Sequence, residues 1–222
     1  MAVVRTRRPD SGSGSIKFIE GVAITGIGSA GFNENDLLIF VENGDSDQNN
    51  YELIGGDGHD EIDGGSGNDT LREGLGNGIL NGGDGNDDLD GGPGTEKLFG
   101  GNGNDILRVG GSIPANTPVP PGQPAGDYDR LNGGAGSDTF GFYGVGTFEI
   151  ADFKLGQDRL FFDSSTLGVH DVGTLVSFIT KITPPTVSDG YVVEFVGGAA
   201  TIELLGGVNP SSITAEMIDF TL

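Results

Sequence analysis

No cysteine occurs among the 222 residues, so no disulfide holds the fold, even if the protein works outside the cell. Basic side chains are scarce. Eleven Lys and Arg stand against 33 Asp and Glu, for a formal net charge of −22 and a pI near 4.1. That balance argues against nucleic acid or an anionic membrane as a partner. No apolar run is long enough to span a bilayer. The N-terminal MAVVRTRRPDSGSGS carries Arg5, Arg7 and Arg8 but no apolar stretch after them, so it is not a Sec signal peptide. The signatures H-E-x-x-H, G-x-S-x-G and G-x-x-x-x-G-K-[ST] are missing, and no enzyme activity is expected. His59 and His170 have no metal or catalytic partner at a recognisable spacing and are expected at the surface. Carboxylates of the kind a pair for glycoside hydrolysis needs are present, but the repeat described next already accounts for many of them.

Glycine is abundant, at 43 residues, without the three-residue period of collagen. From Gly55 to Arg108 the chain reads GGDGHDEID, GGSGNDTLR, EGLGNGILN, GGDGNDDLD, GGPGTEKLF, GGNGNDILR, six nonapeptides in unbroken phase close to G-G-x-G-x-D-x-U-x, with U apolar. Such periodicity fixes the architecture before any local signal does. The U positions are Ile62, Leu71, Leu80, Leu89, Leu98 and Leu107, and the sixth positions hold Asp60, Asp69, Gly78, Asp87, Glu96 and Asp105. The glycines let the first six residues form a tight turn that presents carbonyl oxygens and a carboxylate inward, a donor set for a hard cation such as Ca²⁺. Oxygen-only ligands are not a natural choice for zinc or copper, and the strict small octahedron of Mg²⁺ disfavours it. The last three residues make a minimal strand with its middle side chain inside. Two nonapeptides complete one coil, so Ile62, Leu80 and Leu98 are predicted on one sheet and Leu71, Leu89 and Leu107 on the facing one. One aliphatic side chain per nine Gly-rich residues is little apolar burial to order so flexible a chain. Ion binding is therefore expected to be folding.

The fold class predicted is all-β, a right-handed parallel β-roll with β-rich caps at both ends. Residues 1–14 read as a flexible tail and 15–45 as an N-terminal cap of short strands. SDQNNYELI (46–54) is a degenerate leading nonapeptide with Leu53 at the apolar position. The roll is expected over 46–141, interrupted by a Pro-rich insertion, 112–126, that cannot join a strand ladder. GDYDRLN then resumes the pattern with Asp129 and Leu131, and GGAGSDTFG follows with Asp138 and Phe140. Residues 142–222 read as a capping β region, as a solenoid end requires. Its strand candidates are GTFEIADF, DRLFFD, GYVVEFV and ATIELLG; DVGTLVSFITKI suggests a short helix, and NPSSITAEMIDF a helical turn capped by Ser211 or Ser212.

The array, GGAGSDTF, ADFKLGQDRLFF and the ending LLGGVNPSSITAEMIDFTL together resemble the RTX parallel β-roll proteins. The C-terminal part is similar to the non-catalytic domain of serralysin-type metalloproteases and related bacterial exoproteins. The resemblance implies a secreted, extracellular bacterial protein, exported unfolded by a type I exporter through an uncleaved C-terminal signal and folding outside as Ca²⁺ binds. Asp219-Phe220-Thr221-Leu222 is similar to the acidic-plus-apolar tail of such substrates, with Thr221 departing from an all-apolar ending.

The resemblance also implies a ligand set in which each ion lies between loops two repeats apart. The lower loop gives second- and fourth-position carbonyls, the upper loop gives first- and third-position carbonyls, and both give the sixth-position carboxylate. On one edge the lower-loop residues are Gly65 and Gly67, Gly83 and Gly85, Gly101 and Gly103. The upper-loop residues are Gly82 and Asp84, Gly100 and Asn102, Gly133 and Ala135, and the carboxylates are Asp69, Asp87, Asp105 and Asp138. On the other edge the implied ligands are Gly56, Gly58, Asp60, Gly92, Gly94, Glu96, Gly126 and Asp129. That edge departs from the pattern at Glu73, Leu75 and Gly78, and Glu96 is one carbon longer than Asp. The two spaces around Gly78 are therefore expected to be empty or weakly filled, and several ions are expected, most of them on the Asp69–Asp138 edge. Asp152 and Asp158 either close a last ion site or serve turn hydrogen bonds. The role expected is structural, adhesive or scaffolding, with an extracellular polymer, a cell surface or a second copy as partner. The alternative is a non-catalytic secretion module of a larger protease, lipase or alginate epimerase. Met1 and the secretion-like tail favour a complete small protein.

Overall fold

A computed structural model describes residues 15–20, 37–42, 50–110, 128–185, 190–196 and 200–221. The expected tail 1–14, much of the N-terminal cap, and the Pro-rich segment with Gly126 lie outside the described residues.

The chain forms a parallel β-roll, as the nine-residue period requires. Its first strands are β1 (Ser15–Glu20), β2 (Leu37–Glu42), β3 (Glu52–Asp63), β4 (Thr70–Asp84), β5 (Asp88–Asp90), β6 (Lys97–Asn102) and β7 (Ile106–Val109). After the Pro-rich segment come β8 (Tyr128–Ala135), β9 (Thr139–Phe142), β10 (Gly146–Ile150) and β11 (Arg159–Phe162). Alternate nonapeptides stack in two facing layers. In one, Leu53, Leu71, Leu89, Leu107, Phe140 and Leu160 stand in register from β3 to β11. In the other, Ile39, Ile62, Leu80, Leu98, Leu131 and Ile150 do so from β2 to β10. Every one of these positions is buried, with 0% of its surface exposed except for Leu160 at 6%, so this double column is the core. Strands β3 and β4 are long because their pairing continues around the bend, through Gly56 opposite Gly74 and Gly58 opposite Gly76.

The coil length gives the insertion its place. Ladder partners lie 18 residues apart within the array and 33 apart across 112–126, a difference of 15 that equals the length of the Pro-rich segment. Leu131 and Phe140 thereby land on the columns as though the segment were absent.

Beyond β11 the chain forms α1 (Ser164–Leu167), α2 (Val172–Phe178), β12 (Ile179–Thr183), β13 (Tyr191–Phe195), β14 (Ala200–Leu204) and β15 (Ile218–Asp219). β14 adds to β10 in parallel and continues outward as an antiparallel meander with β13 and β12, while β15 adds to β11. Larger side chains close this end: Phe142 packs against Phe148 and Phe162, with centroids 4.8 and 5.6 Å away. The helix expected in 171–182 ends at Phe178, and β12 follows at once. The turn at Pro210–Ser212 is a 3₁₀ turn capped by Asn209, whose side chain accepts from the Ser211 N–H, rather than by Ser211 or Ser212. Asn209 precedes a proline already set for a first helical position, which makes it the better cap.

Candidate metal centre

The glycines at loop positions 2 and 4 are required twice over. Gly83 and Gly85 have φ of 104° and 136°, a region L side chains rarely adopt. A Cβ on Gly83 would also overlap the Gly65 carbonyl oxygen, and one on Gly85 the Gly67 oxygen. The same overlap recurs one coil higher, where Gly101 and Gly103 lie over the oxygens of Gly83 and Gly85. Second- and fourth-position carbonyls therefore point up at bare Cα atoms. First-position carbonyls point the other way: a Cβ on Gly64 would lie 2.8 Å from the Gly82 oxygen, and one on Gly82 2.7 Å from the Gly100 oxygen. Third-position carbonyls of Asp84, Asn102 and Ala135 also face down, each accepting the N–H of the fourth residue below at 2.7–2.8 Å. Each space between stacked loops is thus faced by oxygens from below and above.

The sixth-position aspartates form a continuous buried row. The Tyr51, Asp69, Asp87, Asp105 and Asp138 amides donate respectively to Oδ1 of Asp69, Asp87, Asp105, Asp138 and Asp158, at 2.7–3.0 Å. Asp87, Asp105 and Asp138 are 2%, 1% and 1% exposed, and the Oδ2 of each is buried without a hydrogen-bond partner. Burial pushes Asp87 up to about 6 and Asp105 up to about 7, against the lowering effect of the amides they accept from; neighbouring carboxylates add to the rise. Burial raises Asp138 and Asp158 in the same way. A row of this kind requires a cation or a proton. Among the described residues no three acidic or histidine side chains converge on one point. An ion here would be held by backbone carbonyls with one or two carboxylates, and the donor set fits Ca²⁺.

A second row, at position 5, is not legible in the motif, where that position is variable. The Asn68, Asn86, Asn104 and Ser137 amides donate to Oδ1 of Asn50, Asn68, Asn86 and Asn104. Here the upper amide donates to the lower side chain, opposite in sense to the aspartate row, so each pair of loops is clamped both ways. The only signal is the recurrence of Asn at one phase of the repeat. His59 occupies that phase on the other edge and meets Asn77 Nδ2 at 3.3 Å through Nε2, half-buried rather than freely exposed; His170 is exposed.

At the top of the row both candidate acids are used. Asp158 extends the ladder, and Asp152 accepts the Gly133 and Gly134 amides at 2.9 and 2.7 Å. The Lys154 ammonium donates to the Gly134 carbonyl and the Gln157 amide to the Gly136 carbonyl, the second- and fourth-position oxygens of that loop. A cationic side chain thus stands at the last space, and its charge counters the rise at Asp138 and Asp158.

The other edge brings together Asp60, Glu73, Glu96 and Asp129, all 0% exposed. The Gly78 amide donates to Glu96 Oε2 at 2.7 Å and the Glu96 amide to Asp129 Oδ1 at 3.0 Å, the same sense as on the first edge. Gly56, Gly58, Gly92 and Gly94 hold positive φ like their counterparts. Glu73, in the sequence an interruption, points inward beside Gly78. Burial, reinforced by Glu73 and Asp129, holds Glu96 far above the usual carboxylate range.

Elsewhere, a cavity of about 250 Å³ in the C-terminal region is lined by side chains such as Phe142, Phe162, Leu175 and Phe178, with no titratable group among them.

The family model for the RTX calcium-binding nonapeptide repeat matches in four copies, over residues 52–71, 74–107 and 126–140. No curated protein sequence matches the chain. Among solved structures, the AlgE6R3 subunit of the Azotobacter vinelandii mannuronan C5-epimerase is 22% identical, with 74% of this chain and 80% of that one covered and a TM-score of 0.32. The extracellular lipase LipA from Serratia marcescens is 17% identical, with 78% of this chain and 38% of the lipase covered and a TM-score of 0.30.

Proposed function

The repeat array of this chain belongs to the RTX calcium-binding nonapeptide family, and on that premise we propose a secreted, non-enzymatic protein that is exported unfolded by a type I exporter and becomes a rigid β-roll outside the cell as Ca²⁺ binds. Its role there is structural, adhesive or scaffolding. The observation that carries this is the buried aspartate row with an unpartnered Oδ2 on Asp87, Asp105 and Asp138. Such oxygens are costly in a folded protein unless a cation meets them.

On the first edge Asp69, Asp87, Asp105 and Asp138 hold the ions, with Gly65, Gly67, Gly83, Gly85, Gly101 and Gly103 giving carbonyls from below and Gly82, Gly100 and Gly133 from above. The third-position carbonyls of Asp84, Asn102 and Ala135 join them with their remaining lone pairs. Bound Ca²⁺ supplies charge neutralisation and cross-links between coils. The chain's own residues set the spacing, through the paired Asn and Asp rows, and exclude water with the apolar columns.

Export before folding accords with the place of the tail. β15 pairs with β11, Met217 is buried, and Arg159 binds Asp219. A tail held in this way is available to an exporter only while the chain is unfolded, and low cytoplasmic Ca²⁺ keeps it so. The test is co-expression with a type I exporter of the whole chain and of a chain ending at Glu216. Export of the first alone is expected, and equal export of both would refute the tail's role.

A further inference from the structure

We propose, building on the calcium-held roll above, that loop 73–78 is a working ion-binding loop in which a glycine and a carboxylate have exchanged places, so that Glu73 serves the two spaces flanking Gly78. Position by position the loop looks dead: Glu stands first, Leu third and Gly sixth, and the family match skips residues 72 and 73. The other loops show why the first residue is glycine. A Cβ on Gly55, Gly82, Gly100 or Gly133 would overlap Oδ2 of the aspartate five residues on, and one on Gly64 would come within 2.6 Å of Asp69 Oδ2. Positions 1 and 6 share one volume, and the sixth-position carboxylate fills it.

In loop 73–78 the same volume has the opposite owner. A Cβ on Gly78 would overlap Glu73 Cγ, and Glu73 is fully buried. The glycine at position 6 makes room for an acid arriving from position 1, and the extra methylene of Glu lets it cross the loop. The neighbours are disposed as around an intact loop. Asp60 lies opposite Gly78 in the register below, and Glu96 accepts the Gly78 amide from above. Glu96 adds an independent sign of a cation: its Oε1 is buried without a hydrogen-bond partner, turned into its own loop, 91–96, where a Cβ on Gly94 would overlap it. A buried carboxylate oxygen with no donor calls for a cation or a proton, and surrounding carbonyls, which only accept, favour the cation. Carbonyls line these spaces as on the first edge, since a Cβ on Gly74 would overlap the Gly56 oxygen and one on Gly92 the Gly74 oxygen. The class of ligand is again a hard divalent cation held by oxygen, Ca²⁺.

The exchange makes a reciprocal test possible on the full chain, with Ca²⁺ itself as the probe and bound ion counted by equilibrium dialysis and elemental analysis. Glu73→Gly is expected to lose about two ions relative to wild type, one for each flanking space. Gly78→Asp alone forces two acids into one volume and should raise the Ca²⁺ midpoint of folding. The double variant Glu73→Gly/Gly78→Asp restores the ordinary arrangement and should recover the wild-type ion count. Glu73→Gln, which keeps the shape, covers the case in which the glycine variant does not fold; it should stay folded and lose ions. A wild-type count in Glu73→Gly or Glu73→Gln, or a folded double variant that recovers no ions, would overturn the exchange. Wild-type protein that binds no Ca²⁺ would overturn the calcium reading itself, and Asp87→Asn on the other edge reports on that separately.

Discussion

Asp87 commits one carboxylate oxygen to the Asp69 amide and leaves the other to the space between coils. Its place between two spaces means that Asp87→Asn removes charge from both while keeping the shape; a loss of about two ions is expected by calorimetric titration. The neighbouring Asn86 answers a different question. Asn86→Ala takes away the acceptor for the Asn104 amide, which should cost about 0.5–1.5 kcal/mol of stability in saturating Ca²⁺ without changing the ion count. If both variants changed the count alike, the division between an ion-holding row and a spacing row would be wrong. Lys154→Met frees the Gly134 oxygen from its ammonium and is expected to add about one ion at the top of the row; an unchanged count would mean that Lys154 blocks no ion space. The aspartate row was legible in the sequence because the motif names its position. The asparagine row was not, because that position is variable in the motif. Glu73 reads in the sequence as an interruption, since a motif scores each position alone, whereas the structure turns its buried side chain inward beside Gly78. The expectation that the two spaces around Gly78 are empty or weakly filled was argued from Gly78 alone, and the buried Glu73 beside that glycine is what the proposed exchange sets against it.

At the scale of elements, the columns were legible almost residue by residue, because a nine-residue period leaves one apolar position free to face inward. The caps were less so. Their strands could be read from alternation, but not that β14 would continue the roll in parallel while β13 and β12 turn antiparallel, which depends on how the top coil is closed. Nor could the tail be seen as the last strand of one layer. Its two-residue ladder and the Arg159–Asp219 pair give it little hold of its own, so removing residues from Met217 onward should loosen the top coil and leave the lower ones intact. Amide exchange in Ca²⁺ checks this: faster exchange is expected in 139–162 and unchanged exchange in 64–108. Uniform loosening of both segments would show that the tail holds the whole roll.

For the whole molecule, the net charge of −22 is a demand for cations as much as a matter of solubility. The buried acids line the two edges, where burial raises Asp87 to about 6 and Asp105 to about 7 and so makes their charged forms costly without a partner, and the apolar columns alone are thin for the amount of Gly-rich chain they order. If the proposed sites bind Ca²⁺ in the range of about 10⁻⁴–10⁻³ M usual for extracellular modules, the fold forms at millimolar Ca²⁺ and not at the low Ca²⁺ of a cytoplasm. The most direct test is amide hydrogen exchange across residues 50–108 of the full chain, in excess chelator and then in millimolar Ca²⁺. The expected result is fast exchange at the Asp69, Asp87 and Asp105 amides in chelator and strong, cooperative protection of all three once Ca²⁺ is added. Equal protection in both conditions would contradict a roll that its ions hold together.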